Sequence, residues 1–148
     1  MDDVIITRDS SEFIHDIKTK ANKLFEITDL GLMYYFLGMQ VWQEYSRILL
    51  SQTKYAIDVF KFFNMSDCKP SNTPIEVGSK LSAHSDQKKV DGKLYRQLVG
   101  SLLYLTITRP YIAYTVGVVS RYMGIPHVEH WKAAKRIEVH QRHLQAWH

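Results

Sequence analysis

The sequence predicts an α+β chain. Three observations carry this expectation. β-branched and aromatic residues gather in short runs early in the chain. Apolar residues recur every three or four positions in several later stretches. A polar interval at residues 65–90, holding Pro70, Pro74 and Gly78, separates the early part from a helical last third. With 45% hydrophobic and 23% charged residues, the composition is that of a globular domain and excludes a disordered tail. A chain of about 150 residues buries roughly 70% of its extended surface, so a core of its own is expected.

The elements follow in order. Val4-Ile5-Ile6 reads as a short buried strand. Asp9-Ser10-Ser11 supplies N-cap chemistry and Glu12 suits a first turn, so a helix is expected over residues 11–25. Its apolar residues Phe13, Ile14, Ile17, Ala21, Leu24 and Phe25 would form one face lying on something flat. Gly31 marks a break. Residues 32–43, rich in Tyr, Phe, Val and Trp, read as one strand. Tyr45-Ser46-Arg47 reads as a turn and Ile48-Leu49-Leu50 as the return strand, although that turn lacks the Asn-Gly or Gly signal of a strong hairpin.

Ser51 or Thr53 would cap a helix over residues 53–64 with Tyr55, Ala56, Val59, Phe60 and Phe63 inward. Residues 65–90 read as a long exposed connection and a subdomain boundary. Leu94, Leu98, Leu102 and Leu105 then share one helical face, and Gly100 would permit close packing. Thr108-Arg109-Pro110 stops that helix and opens another over residues 110–123, with Pro110 in the first turn. Pro126 opens a last helix carrying Trp131, Ala134 and Ile137. Beyond Ile137 the apolar stripe fails.

Several function classes are excluded or weakened. No apolar run reaches the roughly 18 residues of a membrane span. Met1-Asp2-Asp3 is acidic where a signal peptide is basic, so an intracellular chain without a signal peptide is expected. Cys68 is the only cysteine, which rules out an internal disulfide and a multi-cysteine zinc site. The formal charge is +4: residues 1–7 carry −2, residues 8–66 balance, and residues 67–109 and 110–148 carry +3 each. This layout permits a polyanionic partner without requiring one.

The candidate chemistry is sparse. Adjacent carboxylates such as Asp2 and Asp3 suit a hard cation like Mg²⁺, although two acids near a terminus are more often simply solvated. His127 with His130, and His140 with His143, each stand one helical turn apart, within reach of one zinc ion per pair; with no cysteine nearby, an adventitious metal or none is the commoner reading. Lys54, Lys61, Arg96, Lys132, Lys135 and Arg136 are able to neutralise phosphates, or they are a solvated helix face.

The order of segments adds a resemblance. Met1-Asp2-Asp3-Val4-Ile5-Ile6-Thr7 resembles the end of the Tyr-x-Asp-Asp motif of reverse transcriptases. Thr28-Asp29-Leu30-Gly31 with Tyr35-Phe36-Leu37-Gly38 resembles the next block of the copia-type retrotransposon branch. Leu50-Ser51-Gln52-Thr53-Lys54-Tyr55-Ala56, Asp67-Cys68-Lys69-Pro70 and Thr73-Pro74 follow. Then come Tyr95-Arg96-x-Leu98-Val99-Gly100-Ser101-Leu102-x-Tyr104-Leu105 and Thr108-Arg109-Pro110. Val118-Val119-Ser120-Arg121-Tyr122-Met123 and His130-Trp131-Lys132-Ala133-Ala134-Lys135-Arg136-Ile137 complete the series. The likeness runs over residues 1–137. It departs at Arg8, where a Gly is usual, at Tyr111, where an acid follows Arg-Pro, and over residues 138–148.

The resemblance implies a partial antiparallel palm with a hairpin, followed by a helical thumb and connection. It implies three divisions: residues 1–52, a palm remnant with a primer-grip-like hairpin; residues 53–90, a thumb helix and long loop; residues 91–148, a helical bundle. Asp2 and Asp3 would be catalytic metal ligands for Mg²⁺. Tyr35, Phe36, Leu37, Gly38, Lys54, Lys132, Lys135 and Arg136 would touch an RNA or DNA template–primer duplex. The fingers and a third carboxylate of the family would lie upstream of Met1, so the expected function is that of a polymerase fragment, inactive alone. The alternative is a non-catalytic helical interaction module derived from a retroelement. Either way, an exposed palm edge would invite self-association.

Overall fold

A computed structural model describes residues 4–76, 78 and 81–145. Its elements are helices and one small antiparallel sheet, so the fold class is α+β as expected. The chain divides into two compact units between Met33 and Tyr34. The divisions at residues 52 and 90 concern proposed roles and not compactness.

The first unit is built around α1, Ser11–Leu24, close to the expected span. Ser10 caps it, its Oγ accepting the Phe13 N–H at 3.3 Å. Past the helix the chain folds back: Lys18 Nζ donates to both Asp29 oxygens, at 3.0 and 2.8 Å. Asp29 Oδ1 also accepts the Gly31 N–H at 2.9 Å, an Asx turn that Gly31 completes at φ +74°. These bonds, Lys18 foremost, hold the Asp29 carboxyl below its ordinary range. Along its apolar face Ile14, Ile17 and Ala21 are half-buried, and Phe13 and Leu24 are exposed. One expectation is corrected here. Val4-Ile5-Ile6 forms no strand, because no neighbouring strand among the described residues takes up its backbone hydrogen bonds.

The second unit begins with the sheet, in the order β1-β2-β3: Tyr35–Phe36, Met39–Glu44 and Arg47–Ser51. The single strand expected over residues 32–43 is instead a hairpin. Leu37 and Gly38 turn it with φ of +48° and +81°. Positive φ at both positions is the type I′ geometry, whose twist matches that of the strands, and Gly38 adopts it freely. The second hairpin turns at Tyr45-Ser46, within the expected turn but with Arg47 already paired in β3, and pairs Val41 with Leu50 and Trp42 with Leu49.

The chain passes from β3 into α2, Thr53–Phe62, where Ser51 Oγ accepts the Thr53 N–H at 3.1 Å. The far end of α2 closes with Asn64 at φ +52°, Asn64 N–H on Lys61 and Met65 N–H on Phe60. That pair of bonds is a Schellman motif, and it turns Met65 fully into the core. α3, Gly92–Leu105, is capped by Asp91, whose Oδ1 accepts the N–H groups of Lys93 and Leu94 at 2.7 and 3.1 Å. A 3₁₀ turn, Pro110–Ile112, leads into α4, Ala113–Ser120, and α5 runs Val128–Gln145. The core gathers Ala56, Val59 and Phe60 from α2 and Phe63 from its cap with Leu98, Val99, Leu102 and Leu105 from α3. Val116, Val119, Ala134 and Ile137 close it from α4 and α5.

Three sequence readings shift. The buried face of α3 is turned: Tyr95 is buried while Leu94 and Leu103 are exposed, because the Tyr95 hydroxyl donates to the Val119 carbonyl at 2.7 Å across to α4. Gly100 is exposed, with no atom near the place a side chain would occupy, so it serves no close approach. α5 continues through the point where the apolar stripe fails, with Glu138, Val139 and His140 buried.

Residues 65–76 and 81–90 are largely exposed, as expected, yet form a strap fastened to the helices. His140 Nδ1 donates to the Ser71 carbonyl at 2.8 Å, and Arg136 holds both the carbonyl and Oγ1 of Thr73, at 3.2 and 3.1 Å. The Tyr122 hydroxyl donates to the Leu81 carbonyl at 2.9 Å. At the end of the strap, Val90 N–H bonds Pro126 and Val128 N–H bonds Lys88, both at 3.0 Å. His130 fastens the same region from both ring nitrogens. Its Nδ1 accepts the His127 N–H at 2.9 Å, so Nε2 carries the proton and donates to the Ser82 carbonyl at 3.0 Å. Its ring stacks on Tyr122 at 4.0 Å.

Glu138 is the costly residue of this core. It is fully buried, and neither carboxyl oxygen has a hydrogen-bond partner among the described residues. Burial pushes its carboxyl up to about 8, against the pull of the Arg109 guanidinium. The folded state therefore keeps a proton that the unfolded chain releases near 4.5. Stability from this group is intact below pH 4.5 and is lost as pH rises to about 8. We predict that chemical denaturation of the parent shows this loss, about 3–6 kcal/mol relative to Glu138→Gln across the window. Parallel stability profiles for the two proteins would refute it.

Candidate nucleic-acid interface

The hairpin tip is where the sheet meets the helices. The Tyr104 hydroxyl, near the end of α3, donates to the Leu37 carbonyl. Tyr104 meets Tyr55 of α2 edge-to-face, ring centroids 4.9 Å apart. A Cβ on Gly38 would stand 3.3 Å from Tyr104 Cε1 and 3.5 Å from Tyr55 Cδ2, so the turn rests on this aromatic pair. Beside it, Lys54 Nζ lies 5.1 Å from the centre of the Tyr35 ring, within cation–π reach, and the Lys54 N–H bonds Gln40 Oε1 at 3.2 Å. Tyr35 and Leu37 are exposed; Phe36 and Gly38 are half-buried.

Gln52 ties this corner together. It is 1% exposed, at the junction of β3 and α2. Its Nε2 donates to the Tyr104 carbonyl at 2.9 Å, and its Oε1 accepts the Thr108 hydroxyl at 2.7 Å. The amide so links the start of α2 to the end of α3 and the residues after it.

The other cations stand elsewhere. On α5, Lys132, Lys135 and Arg136 share a face by their three- and four-residue spacing. Lys132 is exposed, and Lys135 Nζ lies 5.6 Å over the Trp131 ring. Trp131 packs on Phe63, centroids 6.0 Å apart, just past the end of α2. Lys54 thus stands in the first turn of α2, while Trp131, with Lys135 over its ring, packs on Phe63 just past the other end of that helix. Arg136 is occupied by Thr73, and Arg96 Nη1 donates to the Met123 carbonyl at 3.3 Å. Asp2 and Asp3 lie outside the described residues. Among the described residues, no three His, Cys, Asp or Glu side chains gather as a metal site, and no helix is long and apolar enough to cross a membrane.

Comparison with known proteins now bears on this arrangement. A family model described as reverse transcriptase (RNA-dependent DNA polymerase) matches residues 1–77, just over half of the chain. The chain belongs to the reverse transcriptase family. The match takes in the hairpin, Gln52 and all of α2. Relatives extend the likeness through the helical region. The Retrovirus-related Pol polyprotein from transposon RE1 of Arabidopsis thaliana is 37% identical over 137 residues, which is 93% of this chain and 9% of that polyprotein. The corresponding polyprotein from transposon TNT 1-94 of Nicotiana tabacum is 38% identical over 146 residues, 93% of this chain and 11% of its own length. An uncharacterized mitochondrial protein of Arabidopsis thaliana is 36% identical over 137 residues and is covered for 57%. This reverse transcriptase segment thus spans about a tenth of the Pol polyproteins it matches. No solved structure matches the chain.

Tyr55, Tyr104, Gln52 and Thr108 were not among the candidates read from the sequence. All four fall inside motifs quoted above, but a motif does not say which of its members touch. The separation of 52 residues between Gln52 and its carbonyl partner puts the contact beyond any local pattern.

Proposed function

We propose that this chain is the nucleic-acid-gripping segment of a copia-type retrotransposon reverse transcriptase. It would hold a template–primer duplex by its backbone. One observation carries the reading beyond family membership: Lys54 stands over the exposed Tyr35 at a hairpin tip seated on the helices. A cation and an aromatic ring side by side suit a phosphate and the sugar or base next to it. In this reading residues 1–52 serve as palm with the primer-grip-like hairpin, residues 53–90 as thumb helix and strap, and residues 91–148 as helical bundle. Tyr35, Phe36, Leu37, Gly38 and Lys54 contact the primer end, and Lys132 and Lys135 contact phosphates further along. Arg136 would act mainly by holding Thr73.

Binding should be weak, roughly 10⁻⁴–10⁻⁶ M, and indifferent to sequence, because backbone contacts read no bases. The test is a salt titration on an RNA–DNA duplex. Replacing Lys132 and Lys135 together with Ala should lower the slope of log affinity against log salt by about one for each phosphate contact removed. Coincident slopes would make the α5 lysines a solvated face. They would favour the second reading, a helical interaction module, for which the exposed Phe62, Ile107 and Ile125 speak.

Asp2 and Asp3 are proposed as the family's metal ligands, with Mg²⁺ as the ion that supports phosphoryl transfer when bound. Two adjacent carboxylates are few ligands for two ions. We therefore expect the 148-residue polypeptide alone to give no primer extension with Mg²⁺ and deoxynucleotides. Extension that Asp2→Asn abolishes would overturn this.

Self-association through the sheet edge belongs to the same proposal. β3 pairs on one side only and exposes Ile48, Leu49 and Leu50. Light scattering at rising concentration should show growing mass; a constant monomer mass would exclude it.

A further inference from the structure

We propose that Tyr104 is the positioning residue that sets the hairpin tip against the helices for duplex binding, acting from α3 without touching the duplex itself. The inference rests on the reading of Tyr35 to Gly38 and Lys54 as a nucleic-acid contact.

Three observations meet at this residue. Its hydroxyl bonds the Leu37 carbonyl, at the centre of the two-residue turn. Its ring edge lies where a Gly38 side chain would project, so the absence of that side chain lets the turn come down onto the ring. Its own carbonyl is held by Gln52 Nε2, whose Oε1 is held by the Thr108 hydroxyl. Turn, α2 and the end of α3 are thus joined through one side chain and its backbone.

The position needs such a tether. β1 has two residues and pairs only with β2, so the ladder alone offers little resistance to movement of the tip. Phosphate contacts depend on position. A tip that drifts from Lys54 separates the two halves of the proposed grip, while every charged group stays present. Loosening the tether should therefore lower affinity without changing the number of ions released on binding.

Tyr104→Phe removes the hydroxyl and keeps the ring against Tyr55. Gly38→Ala keeps the hydroxyl and presses a methyl group on the ring. The experiment compares both with the parent and with Tyr114→Phe, a change at an exposed tyrosine of α4. It measures amide exchange over residues 34–44, thermal midpoint, and duplex affinity across a salt series. For Tyr104→Phe we expect faster exchange confined to residues 34–44 and an affinity loss of roughly two- to tenfold, the worth of one hydrogen bond. The salt slope and the thermal midpoint should match the parent. Gly38→Ala should move exchange and affinity in the same direction, and Tyr114→Phe neither. Hairpin exchange equal to the parent's in Tyr104→Phe would overturn the tether. Faster exchange with undiminished affinity would overturn its role in binding. A parent that binds no duplex at all would instead sink the reading under Proposed function, and the exchange data would still decide the tether.

Discussion

A buried amide must find partners for both its ends, and Gln52 meets that demand in a way that fixes the rest of the second unit. It follows the last residue of β3 and precedes the first of α2, so its backbone joins sheet to helix. Its side chain is spent on the Tyr104 carbonyl and the Thr108 hydroxyl, one at the end of α3 and one just beyond it. An unmet amide here would cost about 1–3 kcal/mol, so the geometry that satisfies both ends is strongly preferred. With that geometry set, Tyr55 and Tyr104 meet edge-to-face, and the first hairpin has a surface to rest on. The apolar core could form with the sheet in several orientations, because of its strands only Val41 is buried. The polar contact at Gln52 selects among them.

Polar groups do similar work at the other side of the bundle. α5 outlives its apolar stripe because its later residues have partners that no periodicity reveals. His140 and Arg136 are satisfied by carbonyls of the strap, and His130 by Ser82 and the His127 N–H. Protonating His130 at Nδ1 would set two hydrogens against each other, and burial already lowers its affinity for a proton, Ser82 and Glu129 opposing. Glu138 is the exception. It draws on Arg109 at a distance and has no hydrogen bond of its own, which is why its proton is retained.

The helices were legible because their signals are local. Ser10, the apolar spacing of α2 and the leucines of α3 each announce themselves within one or two turns. The sheet is half legible: Tyr45-Ser46-Arg47 carries a turn signal, of which Tyr45 and Ser46 make the turn, while the aromatic run around Leu37-Gly38 reads as strand. Gly38 is a single turn residue within that run, and Leu37 is an unusual residue at positive φ. The strap is exposed as its composition suggests, but its anchoring is not legible, for a physical reason. A segment poor in apolar groups looks exposed, yet its backbone carbonyls are anchors for side chains some 40 to 70 positions away. For the site, the motifs name Tyr35 to Gly38 and Lys54 without saying that they adjoin; the nearness of Lys54 to the Tyr35 ring comes from the fold.

The length of α2 constrains how a duplex would lie. α2 is a straight element of about 15 Å. In the proposed reading, Lys54 and Lys135 would approach a duplex from opposite ends of this helix. Two contacts at a fixed spacing position a backbone better than the same charges on loops, since little freedom is lost on binding. The arrangement works only if each group is fixed to α2. On one side Trp131 on Phe63 does this by apolar packing. On the other side Val41 of β2 is buried and the Lys54 N–H bonds Gln40 Oε1, while the turn at Leu37 and Gly38 beyond them rests on Tyr104 and Tyr55. The tip of the hairpin is therefore held by a hydroxyl and a ring edge, so its position is open to adjustment by small changes in α3.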